Sequence, residues 1–198
     1  TAYDLPLKLD GRYQSFPNEA TVLPQLLRGA EQFSLYQTMD SRFRLSYRAA
    51  CLAENLRWVR AQAGGSKVVV WGCNETVATY NRDDETLGGQ LRRQYGADFV
   101  SIGLAFGEGS YRALAATEAP SFVTAPAPAA PVGSYENYFR AASLPLALLD
   151  LRSAELQPGT QWLFENLLWR EGALKAYVKP FATHSLRREF DAVLYLPK

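Results

Sequence analysis

The sequence predicts an α/β fold of three layers: a mostly parallel sheet with flanking helices, preceded by an N-terminal helical segment. Three observations lead there. The first is the apolar, β-branched run Lys67-Val68-Val69-Val70-Trp71, which reaches Gly72 and opens directly into the polar Cys73-Asn74-Glu75-Thr76. A short run of this kind reads as a buried parallel strand, and a glycine at its end lets the backbone turn. The second is the order strand, helix, strand from Lys67 to Phe106, a βαβ unit whose crossover should be right-handed. The third is the stripe Leu45, Ala49, Leu52, Leu56 and Val59, spaced by fours and threes, which would face a sheet or a neighbouring helix.

Residues 1 to about 20 show no sustained period and carry Pro6, Gly11 and Pro17, so they read as an extended lead-in. A first helix is expected from about Ala20 to Gln37, with Leu23, Leu26, Leu27 and Phe33 among its buried residues. Asp40 or Ser41 caps a second helix, which Gly64-Gly65 ends. Thr86 to Tyr95 is a short amphipathic helix closed by Gly96, and Phe99 to Phe106 is the second strand. The proline- and alanine-rich stretch 118–133 reads as a surface linker. A helix from Ser134 to Ala142, a strand from Leu146 to Leu151, an ambiguous aromatic stretch from Gln161 to Leu167 and a last strand from Ala192 to Leu196 complete the chain. This divides it into a helical appendage, 1–40, and an α/β domain, 41–198.

With 198 residues, 47% of them hydrophobic, the chain is long enough for one full core. It should be soluble and globular. A net charge of +1 supplies no broad attraction to nucleic acid or to a membrane surface, and no apolar run is long enough to span a bilayer. Two cysteines, Cys51 and Cys73, and one histidine make no metal spacing, and nothing implies a cofactor. Whether the two thiols pair is a question of geometry, because Cys51 sits in the middle of a helix. The chain starts at Thr1 rather than methionine, so removal of an upstream segment is expected, and the compartment stays open.

Ligands in open α/β sheets bind where strands end, which makes Cys73 to Thr76 the expected site. Gly107-Glu108-Gly109-Ser110 follows the next strand and would let a ligand approach the backbone, with Glu108 as a pocket residue. A lone Gly-x-Gly is more often turn chemistry than a phosphate cradle. Asn74 can hold its loop through side-chain bonds to backbone. Asn55 could bridge its helix to a loop. Arg48 and Glu54 point from different faces of their helix, and Arg48 is the better candidate for binding. His184 reads as a packed or surface residue, since a general base also needs an orienting partner. The tryptophans at 58, 71, 162 and 169 are expected to be mostly core.

The same stretches resemble the erythromycin esterase-like hydrolases. That family has a Trp-Ala-His-Asn-x-His-Val strand end and a preceding helix of the form Arg-Asp-x-x-Met-Ala-Glu-Asn-x-x-Trp. Here the strand end reads Trp71-Gly72-Cys73-Asn74-Glu75-Thr76-Val77, and the helix reads Arg48-Ala49-Ala50-Cys51-Leu52-Ala53-Glu54-Asn55-Leu56-Arg57-Trp58. Leu87-Gly88-Gly89-Gln90-Leu91, Phe106-Gly107-Glu108-Gly109-Ser110, Gly133-Ser134-Tyr135-Glu136, Leu148-Leu149-Asp150-Leu151-Arg152 and Phe190-Asp191-Ala192-Val193-Leu194-Tyr195 follow in family order. The resemblance implies hydrolysis of ester or lactone bonds by water activated with histidine and glutamate. Both family histidines are replaced, by Cys73 and Thr76, and a thiol or hydroxyl without a neighbouring base does not do an imidazole's work near pH 7. It therefore implies a degraded, bacterial-type site with no catalytic residue assigned, in which Arg48, Cys73, Asn74, Thr76 and Glu108 bind a small molecule or an ester.

The family's first glutamates and another histidine lie in a front half that has no match here. The alternatives are an active half completed by a missing N-terminal segment, and a small-ligand binding module. A half-sheet leaves an edge and apolar faces open, so self-association or a partner segment is also expected.

Overall fold

The computed structural model describes residues 19–81, 85–115, 121–143, 146–171 and 181–197. The lead-in before residue 19 and part of the proline-rich stretch lie outside them. Helices α1 (Glu19–Thr38) and α2 (Ser41–Gln62) form an antiparallel hairpin. Asp40 caps α2, its side chain accepting from the Arg42 N–H at 3.0 Å. The family-like Glu54 and Asn55 staple the hairpin: Glu54 accepts from Arg28 at 2.9 and 3.1 Å and from Gln32 at 3.1 Å. Asn55 accepts from Gln25 at 2.7 Å and donates to Gln32 at 3.0 Å. Asn55 thus bridges helix to helix and not helix to loop. The Arg28 hydrogen bond, with its charge, holds the Glu54 carboxyl below the usual glutamate range, outweighing burial.

The apolar residues of this hairpin are largely open. Leu23, Leu26, Leu27 and Phe33 of α1 are exposed, as are Leu45 and Val59 of α2, and only Ala49 and Ala53 of α2 are buried. The expected stripe is present in sequence, but only its middle finds a partner. That partner is α4 (Leu87–Tyr95), whose Leu87 and Leu91 pack with Ala53, Leu52, Leu56, Val70, Tyr95 and Phe99. Thr86 caps α4 by accepting from the Gly89 N–H at 2.9 Å, while its hydroxyl donates to the Ala78 carbonyl at 2.6 Å. A Cβ on Gly88 would lie 2.1 Å from the Val77 carbonyl oxygen, so only glycine lets α4 approach the end of α3 (Asn74–Val77) this closely.

The sheet differs most from expectation. Lys67–Trp71 is not a strand: among the described residues nothing pairs with it, and Val69 and Trp71 are 92% and 83% exposed. The βαβ unit is therefore not formed among the described residues. The three-stranded sheet that does form has the order β1-β7-β4, from β1 (Ile102–Phe106), β4 (Ala147–Asp150) and β7 (Ala192–Leu196). β1 and β7 run parallel and β4 runs antiparallel to β7. Two antiparallel hairpins stand beside it, β2 (Gly109–Leu114) with β3 (Phe122–Ala127), and β5 (Leu167–Arg170) with β6 (Phe181–His184). Most pairings are antiparallel, so the fold is mixed α/β and not a three-layer, mostly parallel sheet. The physical reason is connectivity: neighbours in sequence close as hairpins, and among the described residues the strand expected at residue 67 has no second strand to bond. β3 also falls inside the stretch read as a linker, with Pro126 opposite Ser110.

One aromatic core supports the sheet and the β5–β6 hairpin, while β2 and β3 share a separate small cluster around Ala113 and Ala125. Tyr135, Phe139, Leu151, Leu163, Trp169, Leu186, Phe190, Val193 and Tyr195 form the aromatic core, from α5 (Tyr135–Ala141), α6 (Leu186–Glu189) and the strands. Phe139 stacks on Tyr195 at 5.1 Å, and Trp169 meets Tyr135 edge-on at 5.9 Å. Asp191 ties β1, β7 and α4 together: its carboxylate accepts from the Ser101 N–H at 2.7 Å and pairs with Arg92. Cys51 and Cys73 are both free thiols. Among the described residues no helix is long and apolar enough to cross a membrane.

Candidate functional site

The loop after Trp71 is tied to β1 through Asn74, and the Ser101 hydroxyl donates to the Val77 carbonyl at its end at 2.6 Å. The Asn74 side-chain amide donates to the Leu104 carbonyl at 2.8 Å and accepts from the Leu104 N–H at 2.9 Å. It thereby takes the position on β1 that a neighbouring strand's backbone would take. The role of Asn74 is a tertiary clamp and not a local turn bond. Cys73 stands at the N-cap of α3 without a capping side-chain bond, and its Sγ lies 3.0 Å from Thr76 Oγ1. Cys73 and Thr76 are thus bonded to each other, and Cys73 is exposed.

Glu75, between them, belongs to a cluster that the sequence did not reveal. Glu75 is a surface residue, and partial desolvation together with the charge of Glu171 raises its carboxyl above the usual range, while His184 pulls it part of the way back. His184 is held at 2.9 Å from Nδ1 to Glu189 Oε2, and its Nε2 is 3.4 Å from Glu171 Oε1. That second contact is ionic and is not aligned as a hydrogen bond, leaving Nε2 buried without a hydrogen-bond partner. Glu189 is itself fixed, its Oε1 accepting from the Ser185 N–H at 2.9 Å. Burial disfavours the His184 imidazolium, but Glu189 and Glu171 outweigh it and the pKa is raised. His184 thus has the orienting partner expected to be missing, yet its outer nitrogen faces a carboxylate and not solvent.

Glu136 is fully buried, with Oε1 accepting from the Arg170 N–H at 2.7 Å, and it feels the charge of His184. Burial raises its carboxyl above the glutamate range, against Arg170 and backbone donors. The Arg170 guanidinium lies over the rings of Phe106 and Phe181 and donates to the Gly107 and Pro128 carbonyls at 2.9 and 2.6 Å. It fixes the loop that carries Glu108. Gly107 is needed there, because a Cβ would fall 2.6 Å from the Pro197 carbonyl oxygen and 2.8 Å from the Tyr195 hydroxyl. Glu108 lines a cavity of about 310 Å³ with Gly109, Ala127, Pro128 and Ala129.

The structure gathers Cys73, Asn74 and Thr76 on one loop against β1 and places Glu108 at the far end of that strand. Arg48 is exposed on α2. A second cavity, of about 580 Å³, lies between the hairpin and α4 and is lined by Arg28, Tyr47, Cys51, Glu54, Arg57 and Arg93 among others. Glu75, Glu171 and Glu189 were missed because their meeting depends on how the β5–β6 hairpin and α6 fold back. Glu136 carried a signal, as the last residue of Gly133-Ser134-Tyr135-Glu136. Among the described residues no group of three acidic, histidine or cysteine side chains could hold a metal ion.

A sequence model of the family described as erythromycin esterase matches residues 12–198. The chain belongs to the erythromycin esterase family. The comparison with curated proteins finds no match. Among solved structures, a Bacillus cereus protein superposes with a TM-score of 0.80 at 23% identity, over 92% of this chain and 46% of that one. A succinoglycan biosynthesis protein superposes with a TM-score of 0.74 at 20% identity, over 90% of this chain and 48% of that one. At these identities the likeness concerns the fold. The family domain seen here spans about half the length of either structure.

Proposed function

We propose that this chain is an erythromycin esterase-family domain that binds an ester- or lactone-type small molecule at its strand-end loops and does not itself hydrolyse it. Family membership suggests hydrolase-like chemistry. The observation that carries the finer reading is the state of the candidate bases. Cys73 Sγ lies 3.0 Å from Thr76 Oγ1, and the single imidazole in the sequence, His184, is bound to Glu189 with its second nitrogen buried. Hydrolysis needs a base within hydrogen-bond reach of an attacking water, and neither group offers one. The binding surface in this reading is Cys73, Asn74, Thr76 and Glu108, with Arg48 as an outlying contributor.

The test is an assay of the purified chain on p-nitrophenyl acetate and on a macrolide lactone, with binding followed on the same samples. Saturable binding with no turnover above buffer is the expected result. Robust turnover that Cys73→Ala abolishes would overturn the reading and make the thiol a nucleophile.

A further inference from the structure

The larger cavity, between the α1–α2 hairpin and α4, stands apart from the strand-end loops. Helix α2 lines it with Tyr47, Ala50, Glu54 and Arg57, spaced by three, four and three residues, the spacing of one helical face. Arg48 lies about two and a half turns before Arg57 and therefore on the opposite face of the helix. Helix α4 contributes a second stripe, Gln90, Arg93 and Gln94. The space exists because its floor is small: Ala50 and Ala53 line it, whereas the seam beside them is filled by Leu56, Leu87 and Leu91. At about 580 Å³ it has the size of pockets that hold one small organic molecule.

The polar groups around this space are not equally engaged. Arg28 is held by Glu54 and Glu31 at 2.9 and 2.6 Å, and Arg93 by Glu85 at 2.5 Å. Glu54, the carboxylate on the lining, has its charge answered by Arg28 and accepts from Gln32 as well. Arg57 is exposed and senses Glu54, but among the described residues no hydrogen bond or ion pair holds it. The side-chain amides of Gln90 and Gln94 are likewise without a hydrogen bond among those residues. A guanidinium with all its N–H groups open pairs both oxygens of a carboxylate at once, and amides beside it add neutral donors. The Tyr47 ring and the two alanines offer an apolar wall to whatever that carboxylate is attached to.

We propose that the cavity between α2 and α4 binds a small organic carboxylate with a compact apolar body, its two oxygens on Arg57 and its body over Ala50 and Ala53. The site is separate from the strand-end loops, and its occupancy does not depend on whether those loops bind or hydrolyse an ester.

The two free thiols allow one reaction to report on both places, because Cys51 lines the cavity and Cys73 stands on the strand-end loop. The experiment is alkylation of the purified chain by iodoacetamide at increasing benzoate, with the Cys51 and Cys73 peptides followed separately by mass spectrometry. Benzoate should slow the reaction of Cys51 saturably and leave that of Cys73 unchanged. Arg57→Gln should raise the half-saturating benzoate concentration on the order of tenfold, the scale of a hydrogen bond to a charged group. Ala50→Leu, which fills the floor and keeps every charge, should weaken the protection in the same direction. Benzamide, with the same shape and no charge, and inorganic phosphate, with no apolar body, should protect far less well. Protection that falls equally on both thiols or on Cys73 alone, no protection at all, or a benzoate effect untouched by both substitutions overturns the proposal. Benzamide or phosphate as effective as benzoate overturns it as well, since the ligand would then not be a carboxylate with an apolar body.

Discussion

The two halves of this molecule handle the same kinds of residue in opposite ways. In the C-terminal half, Tyr135, Leu186 and Val193 lose essentially all contact with water, and Trp169 retains 1%. In the α1–α2 hairpin and the segment after it, Leu23, Leu26 and Leu27 remain more than half exposed and Val69 almost wholly so. Composition does not separate them, since both are rich in leucine, valine and aromatics. What separates them is closure. Each C-terminal element is met by another within the described chain, whereas the N-terminal hairpin is held by polar staples at Glu54 and Asn55 and by the small patch around Leu91. Hydrophobic side chains stabilise only what covers them, so the first region should carry the stability of the domain and the second should carry its capacity for association.

The sharpest way to break that contrast is in the core. Trp169→Ala should lower the unfolding free energy by about 3–5 kcal/mol, the usual cost of emptying a large aromatic site, measured by denaturant titration. A cost below about 1 kcal/mol would mean that the C-terminal half is not the stable one.

The seam between the two regions comes next. Asn74→Ala removes both partners of Leu104 and should cost about 1–3 kcal/mol, the range for leaving part-buried backbone groups unpaired. Asn74→Asp, which keeps the acceptor and loses the donor, should cost less. Equal effects would mean that the side chain fills space and does not clamp β1.

The smallest expected effect is a slope with pH. The folded-state pKa of His184 is raised above 6.5 by Glu189 and Glu171 against burial, so its imidazolium contributes stability in full below about pH 6.5. That contribution is lost as the pH rises through the folded pKa, because above it neither state holds the proton. Stability of the wild type should therefore fall from about pH 6.5 upward, and His184→Asn should remove that part of the fall. Identical profiles for the two proteins would show that the clasp does not titrate in this window.

Much of the local structure was legible. Caps at Asp40, Thr86 and Ser134, the glycine after Tyr95 and the periodicity of α2 depend on residues within a few positions of each other, and the helices start and stop close to where those signals stand. The last strand, Ala192–Leu196, was also readable from its own run. Lys67–Trp71 had the same run and did not become a strand, because a strand exists only with a partner and the pairing is not written in the strand itself. Of the candidate site, the contact of Cys73 with Thr76 joins residues three apart in the loop the sequence singled out. The surroundings of His184 were not legible, since Glu171, Glu189 and Glu75 come from three elements that meet only after folding.

The sequence by itself therefore determined the four longer helices and the family, because those depend on residue identity and short spacing. Tertiary structure alone decided which strands pair, that Asn74 stands in for a neighbouring strand, and that the only histidine is enclosed by carboxylates. Each of these depends on which distant surfaces come into contact, and contact is what turns an apolar or ionisable side chain into a buried, paired or exposed one.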